Sequence, residues 1–562
     1  MASEPADVHW LLSNAFRIVA MQAGFNLLEM GSVRRKSATN VVMKNLSVFV
    51  LACMSFFLCG WAFAYGGDIG GVVGNSEFFG RINDEHGRNY APFFFQLAFS
   101  VNAATIGAGA VAERMRFIVY LIKSTLVSAV TYPVVAHWIW HKDGWLAKHG
   151  FVDFAGSAVV HAVGGTCALI CCVVLGPRTG RYIALQKQQC SLQPSLSENG
   201  VVSKEIQMSD CIVDVLDDSE VDAKASGAAD NVDDVVHSAS LENKNREAAD
   251  TIQFMRSDFL RHLDFSASRD NTQLLSGTLI LWIGWFSFNA GSTLQMSSLE
   301  NARLSAFVAT NTALGGAAGG LAGLLGGYWV SGGHFPARDL SNGVLCGLVS
   351  ITSMVHCVEI WQSVLIGGLG GFIPLGVGIL FAKLHIDDPV CTVAVHLFGG
   401  VWSVLAVGLF AHNAGPGVDL LKRGMFYGGS LFSVQLYGIC SVVAWAALTS
   451  GLFLFVLSHL TELRVDETKE VYGLDKSEHG IDSDARFFAM LVNFSSAIER
   501  LRSADLLTDA PSAYEKGLAR SVLNQRMKDI LRDVSGLDRS ARAGDLDNFD
   551  FVALEERRPL LI

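Results

Sequence analysis

Charge is scarce in this 562-residue chain: Asp, Glu, Lys and Arg make up 17% of it, where a soluble protein of ordinary composition carries about 25%. There is no HExxH and no CxxC pair, so neither a zinc protease helix nor a zinc-ribbon framework is present. Most of the 11 cysteines (Cys53, Cys59, Cys167, Cys171, Cys172, Cys346, Cys391, Cys440) lie inside apolar runs, where they read as small packing residues. Cys190 and Cys211 fall in an acidic stretch without a partner at close spacing, so no disulfide framework is expected. The opening MASEPADVHW lacks a basic n-region and runs straight into apolar sequence, which argues against a cleavable signal peptide. Even the net charge of −11 is local. Residues 191–250 hold 14 Asp/Glu against 4 Lys/Arg, a net of −10 that says nothing about the remainder. No cofactor, metal or nucleic-acid partner is expected.

What is abundant is apolar sequence and glycine. The chain is 51% hydrophobic, with 56 glycines and a mean hydropathy of +0.36, the composition of a polytopic membrane protein whose helices approach closely. Apolar runs of spanning length fall at about 9–30, 40–65, 91–112, 118–140, 154–176, 273–291, 304–330, 340–356, 360–383, 390–412 and 431–459. The expected fold is therefore all-α, with eleven transmembrane helices. Loops after odd-numbered spans carry ten Lys/Arg (Arg34, Arg35, Lys36, Arg114, Arg116, Arg178, Arg181, Lys187, Arg338, Lys383) against seven in the alternate loops. That bias places the N-terminus outside and the C-terminus in the cytoplasm. Lys44, in the second span, is expected to snorkel to the cytoplasmic interface.

One pattern occurs twice: Asp, seven residues, His, two residues, Gly-Gly. The copies are Asp153 to His161 to Gly164-Gly165, and Asp388 to His396 to Gly399-Gly400. Eight helical residues rise about 12 Å, so an Asp at a helix start puts its His near the middle of a roughly 30 Å hydrocarbon slab. An ionisable side chain at that depth is costly, and marks function by default. The copies fall in spans 5 and 10, so the second five-helix half inserts upside down relative to the first. Phe25-Asn26 followed by Gly31-Ser32, and Phe288-Asn289 followed by Gly291-Ser292, echo each other in spans 1 and 6. Inverted repeats with a midplane site are a transporter architecture.

The expected organisation is a first half at 1–188, an acidic and largely disordered cytoplasmic linker at 189–265, a second half at 266–462, and a cytoplasmic tail at 463–562. Within the linker, 251–265 has helical apolar spacing beside Arg256 and Arg261, a membrane-surface or ordinary solvated helix. The tail holds amphipathic stretches near 486–507 and 513–534. It ends Glu555-Glu556-Arg557-Arg558-Pro559-Leu560-Leu561-Ile562, similar to an acidic dileucine sorting signal formed by Glu556, Leu560 and Leu561. Such a signal is bound by sorting adaptors at plasma, endosomal or vacuolar membranes.

The segments MQAGFNLLEMGSVRRKSATNVVMKNL (21–46), FQLAFSVNAATIGAGAVAERMRF (95–117), DFAGSAVVHAVGG (153–165), GWFSFNAGS (284–292) and DDPVCTVAVHLFGGVWSVLAVGLFA (387–411) closely resemble the ammonium transporter family, in its Amt/Mep branch. The resemblance runs from about residue 8 to 482, the acidic linker excepted. It implies a homotrimer in the lipid bilayer, each subunit with its own pore for ammonium or ammonia, and methylammonium as a possible analogue. It implies pore histidines His161 and His396, a phenylalanine gate of Phe99 and Phe288, a recruitment site of Trp140, Ser292 and Phe99, and a structural acid, Asp153. The stretch Gly473 to Gly480 is similar to the family's C-terminal regulatory segment, which lies against a neighbouring subunit. Plant members carry a phosphorylatable Thr where Ser477 stands, and a phosphate beside Asp475 and Glu478 would repel the segment.

By residue type alone several of these positions read differently. Trp140 near a span end is a belt aromatic, Phe99 and Phe288 are helix packing, Ser292 satisfies backbone beside Gly291, and Asp153 caps a helix. A lone buried His is often merely packed, whereas two at matched positions in inverted halves favour function. Two other functions are open on sequence grounds. One is an ammonium sensor signalling through the tail, which has no kinase or cyclase motif. The other is an intramembrane metalloenzyme on His161 and His396, disfavoured because no Asp or Glu lies within a turn of either. A transporter, not an enzyme, is the expectation.

Overall fold

In the computed structural model, residues 4–82, 90–179, 181–182 and 270–481 are described. The acidic linker, the stretch at 251–265, the amphipathic tail stretches and the sorting residues Glu556, Leu560 and Leu561 lie outside the described residues. The chain divides into two units, one of Met1–Thr179, Phe265–Ala485 and Gln525–Ile562, the other of Gly180–Asp264 and Arg486–Asn524.

The described residues of the first unit are largely helical. Helix α1 is Pro5–Ser32. Helix α2 starts as Ala38–Ser55 and continues through a π turn, Phe56–Gly60, into Trp61–Tyr65. Helix α3 is Tyr90–Ala110, and α4 runs Phe117–Leu126, π turn Val127–Thr131, Tyr132–Trp140. Helix α5 is a π turn, Ser157–Ala162, leading into Val163–Leu175. Then follow α6 (Asn271–Gly291), α7 (Leu299–Val330), α8 (Ala337–Thr352) and α9 (Ile360–Leu384). Helix α10 repeats the form of α5, with π turn Val393–Phe398 leading into Gly399–Phe410, and α11 is Leu431–Ser458. Two short helices end the described chain, α12 (Glu467–Tyr472) and α13 (Leu474–His479). The only sheet among the described residues is the two-residue hairpin β1 (Asp68–Ile69) and β2 (Val73–Gly74), paired antiparallel.

Among the described residues, nine helices are long and apolar enough to cross a membrane. Helices α1 and α8 are not among them, although each fills an expected span. Asp7, Arg17 and Glu29 dilute the apolar character of α1, and α8 has only 16 residues with Arg338 and Asp339 in its first turn. Helices α6, α7, α9 and α11 leave Leu279, Leu321, Leu325, Leu369, Leu452 and Phe455 exposed, a surface that suits lipid or another apolar partner. Close approach elsewhere depends on glycine. A Cβ on Gly319 of α7 would stand 2.5 Å from the Gly343 oxygen and 2.6 Å from the Gly347 Cα of α8, so those backbones touch only because no side chain intervenes.

The turns at the Arg34 end of the bundle are joined by buried ion pairs. Glu113, between α3 and α4, accepts from Arg34 Nε at 2.5 Å and also pairs with Arg178 after α5. Arg178 reaches on to Asp387 before α10, with Nε to Oδ2 at 2.7 Å and Nη2 to Oδ1 at 3.0 Å. Burial by itself raises the Glu113 carboxyl, and the two guanidiniums more than reverse this, holding it at about 2. Lys44 departs from the snorkelling expectation. It is fully buried, and its ammonium donates to the Met115 carbonyl oxygen at 3.1 Å. The turn between α3 and α4 folds over the end of α2 and closes the route to solvent.

The segment carrying Ser477 sits on the same face of its own chain. Asp475 Oδ1 accepts from Asn40 N at 2.7 Å and Oδ2 from Thr39 N at 3.2 Å, so the carboxylate caps the first turn of α2. His479 Nε2 lies 2.9 Å from Asn40 Nδ2, and Phe117 N donates to Glu478 Oε2 at 3.4 Å. These contacts join the segment to its own subunit. Ser477 itself donates to the Gly473 oxygen at 3.0 Å.

Candidate functional site

The site is built from the start of α5. Four residues before its first π turn, Asp153 points both carboxylate oxygens at backbone N–H groups. Oδ1 accepts from Gly156 at 3.0 Å and Ser157 at 2.8 Å, and Oδ2 from Ala158 at 2.8 Å and Val159 at 2.9 Å. Ser353 Oγ adds a fifth bond to Oδ1 at 2.9 Å. Helix starts leave such N–H groups without partners, and a carboxylate there also meets the positive end of the helix dipole. The chain can bend back this far because Gly156 adopts φ +106°, a conformation open to glycine and strained for other residues. The Asp153 carbonyl oxygen accepts from Trp140 Nε1 at 2.8 Å, so one residue positions both the helix and the indole.

From Trp140 a column of rings leads inward. Phe99 of α3 meets Trp140 edge to face, centroids 5.8 Å apart. Phe288 of α6 stacks on Phe99 at 4.1 Å. His161 lies 5.6 Å beyond Phe288, and its ring is stacked on Trp285 at 5.0 Å. The Trp285 ring is in turn held by a hydrogen bond from Nε1 to Thr352 Oγ1 at 2.9 Å. His396 follows, its Nδ1 3.1 Å from His161 Nδ1. Phe99, Phe288, His161 and His396 are all buried. Ser292 caps the end of α6, where its hydroxyl donates to the Phe288 oxygen at 2.9 Å. Of the three expected recruitment residues, the rings of Trp140 and Phe99 therefore meet directly and Ser292 joins them through Phe288.

The duplicated motif explains how two histidines 235 positions apart come together. Each sits on a π turn, a helical irregularity that recurs at functional sites. The glycines that follow each one lie against the other helix. A Cβ on Gly165 would collide with the backbone nitrogen of Leu397, and one on Gly400 would stand 2.7 Å from the Ser157 oxygen. The two helices thus cross backbone to backbone, which brings the two imidazoles within hydrogen-bond distance. Asp388 repeats part of the Asp153 arrangement, its Oδ2 accepting from Val393 N at 2.7 Å.

Chemically, two neutral imidazoles joined Nδ1 to Nδ1 share one proton. One ring then presents an acceptor at Nε2 and the other a donor, whichever tautomer holds. His161 Nε2 has no hydrogen-bond partner among the described residues, so a polar group is left facing the column.

Below His396 a cavity of about 10 Å³ is lined by Phe25, Leu28, Glu29, Ile106, Thr392 and His396, among others. That is near the smallest space able to hold one water-sized molecule. Glu29 was not among the residues singled out from the sequence. It is buried on α1, with its Oε2 accepting from Asn45 Nδ2 at 3.0 Å. The signal was available: an acid in an apolar span, within LLEMGS, is marked by the same reasoning that marks the histidines.

A model of the family described as "Ammonium Transporter Family" matches residues 9–197 and 264–483. Ammonium transporter 3 of Dictyostelium discoideum is 33% identical, over 84% of this chain and 93% of that protein. Ammonium transporter Amt2 of Archaeoglobus fulgidus is 33% identical, over 84% of this chain and 87% of its own length. Among solved structures, a protein titled "Sensor Amt Protein" superposes with a TM-score of 0.64 at 26% identity, covering 84% of this chain and 98% of that one. Candida albicans Mep2 does so with a TM-score of 0.64 at 24% identity, over 86% and 92%, a likeness of fold. On the matched residues and on these identities, the chain belongs to the ammonium transporter family.

Proposed function

We propose that this multi-pass membrane protein moves ammonium or ammonia through the ring column, and that the observation carrying this reading is the buried His161–His396 pair directly behind the Phe99–Phe288 stack. A bare ammonium ion loses several kcal/mol of hydration on entering so dry a path. Trp140 offsets part of that by a cation–π contact worth up to ~2 kcal/mol, and the Ser292 oxygen accepts one N–H. The stacked phenylalanines exclude water and larger hydrated ions. Ammonium gives up a proton to water at the outer mouth, before this barrier, and the ammonia formed passes the imidazoles, which supply one donor and one acceptor. The proton either travels along the histidine pair or stays in the outer water, in which case inner water supplies the proton taken up by ammonia. Glu29 lines the cavity beyond His396, and reprotonation follows on the far side.

The same reading takes α1 to α11 as eleven spans in two oppositely inserted five-helix halves, α1–α5 and α6–α10. The reciprocal contacts of Gly165 and Gly400, and the paired π turns, support that symmetry. Arg34, Arg114, Arg178 and the 473–479 segment gather at one end, which supports a cytoplasmic assignment for that face and an outer one for Trp140. The halves fall within 1–188 and 266–462, with the linker at 189–265 and the tail at 463–562 cytoplasmic. The exposed apolar helix faces suit both lipid and a trimer. Ser477 is the candidate modification site of the docked segment, and Glu556, Leu560 and Leu561 the candidate adaptor signal for an endosomal, vacuolar or plasma-membrane address.

The test is uptake in cells that lack their own ammonium uptake. Wild type restores it, and His161→Ala with His396→Ala abolishes it or relaxes its selectivity, in protein that still folds and assembles. Failure of the wild type to transport, with intact ammonium binding, would turn the reading toward the sensor.

A further inference from the structure

We propose that Asp68, His137 and His141 form a binding site for one divalent transition-metal ion, of which Zn2+ is the type, at the Trp140 end of the pore. One donor atom from each residue lies within 4.8 Å of the others. An ion about 2.0–2.2 Å from each N or O donor sets tetrahedral donors roughly 3.3 Å apart, so the cluster closes on a metal by small side-chain rotations.

The environment of His137 points to a cation. Its Nδ1 lies 2.9 Å from the Ala64 carbonyl oxygen, which only accepts, so Nδ1 carries a proton. Its Nε2 lies 2.9 Å from Asp68 Oδ1, an oxygen that already accepts from Gly71 N at 2.7 Å. A neutral ring with its proton on Nδ1 sets a lone pair against a carboxylate. Something positive completes that contact: a second proton on the ring, or a metal ion between the two. The His141 ring supplies the third donor, lying 4.3 Å from that of His137 and only 11° from parallel. The pair has i, i+4 spacing at the end of α4, a separation at which helix residues share one face. A carbonyl partner on the far nitrogen of a metal-bound imidazole is also the usual orienting contact.

The three residues are held rather than loose. Asp68 begins the β1–β2 hairpin, and that hairpin is pinned to α4 by Trp138 Nε1 to Val72 O at 2.9 Å and to the segment after α4 by Trp145 N to Gly71 O at 3.0 Å. His137 is buried, while Asp68 and His141 keep access to solvent, and water completes the coordination. The one contact that must yield is the bond from Asp143 N to His141 Nδ1 at 3.2 Å, if that nitrogen is the one used. His141 directly follows Trp140, so a bound ion fixes the end of α4 beneath the indole. An inhibitory effect on uptake rests on the transport reading above; binding itself does not.

The experiment is titration calorimetry of Zn2+ into the purified, chelator-stripped full-length protein. The expected result is one Zn2+ per chain, with affinity reduced about tenfold or more in His141→Gln and in Asp68→Asn. Both changes lie at solvent-accessible positions, and each variant is checked by its melting curve. The His161→Ala, His396→Ala double variant should keep the site, which separates it from the pore pair. Stoichiometric binding absent from wild type, undiminished in both single variants, or lost only in the pore double variant overturns the proposal. Uptake inhibited by external Zn2+ in wild type and spared in His141→Gln would extend it to regulation.

Discussion

Changing Asp153 to Asn replaces one acceptor oxygen by an amide donor at the start of α5. The remaining oxygen can keep the bonds from Gly156, Ser157 and Ser353, on the Oδ1 side. The new NH2 group then faces the N–H groups of Ala158 and Val159, which Oδ2 now accepts at 2.8 and 2.9 Å. Two buried donors left without acceptors cost about 1–3 kcal/mol each, and the lost charge at the helix terminus adds up to ~2 kcal/mol. A destabilisation of roughly 2–8 kcal/mol follows, centred on the turn that carries His161 and on the carbonyl that holds Trp140. The assay is thermal melting of the purified protein beside ammonium uptake at matched membrane level. Asp153→Asn should lower both, while Asp153→Glu keeps the charge but misplaces it and falls between. If Asp153→Asn melts like wild type and only uptake is lost, the carboxylate acts on the ion and the structural argument is refuted.

Phe288→Ala removes the ring that stacks on Phe99 at 4.1 Å and borders His161, and conduction should be impaired more than by Phe99→Ala; unchanged methylammonium uptake in both would make the rings mere packing. Glu29→Gln keeps volume and the Asn45 contact but removes the acid from the cavity below His396, so uptake should fall with little change in melting temperature; full activity would leave Glu29 a structural residue. The pH dependence has a definite sign: Glu113 is depressed from 4.5 to about 2, so its contribution to stability is complete above pH 4.5 and lost as pH falls toward 2. Melting followed across that window should show the loss in wild type, and a flatter curve in Glu113→Gln, which is itself destabilised by leaving Arg34 and Arg178 short of a partner.

Local signals made the helices readable. The expected spans at 9–30, 273–291 and 431–459 correspond to Pro5–Ser32, Asn271–Gly291 and Leu431–Ser458 within a few residues, because hydropathy over 20 residues is a property of neighbours in the chain. The repeated Asp-x7-His-x2-Gly-Gly pattern pointed to the right residues, but the rise read from it is not the one observed: Asp153 lies four residues before the helix, folded back onto its first N–H groups, and His161 is about one turn inside it rather than two. Composition alone also located the acidic stretch. What the chain could not state by itself was which surfaces meet. That His161 and His396 share a hydrogen bond depends on Gly165 and Gly400 each lying on the opposite helix, contacts between residues more than 230 positions apart. The fate of Lys44 was decided the same way. A lysine near a helix end has a flexible stem that reaches water when the way is open, and the turn at 111–116, folded over it, closes that way and offers the Met115 carbonyl instead. Glu29 beside His396, and Asp68 beside His137 and His141, are further neighbours that only packing creates. Periodicity and caps act over a few residues and are written in the sequence; distances between helices follow from how their surfaces fit, which belongs to the tertiary structure.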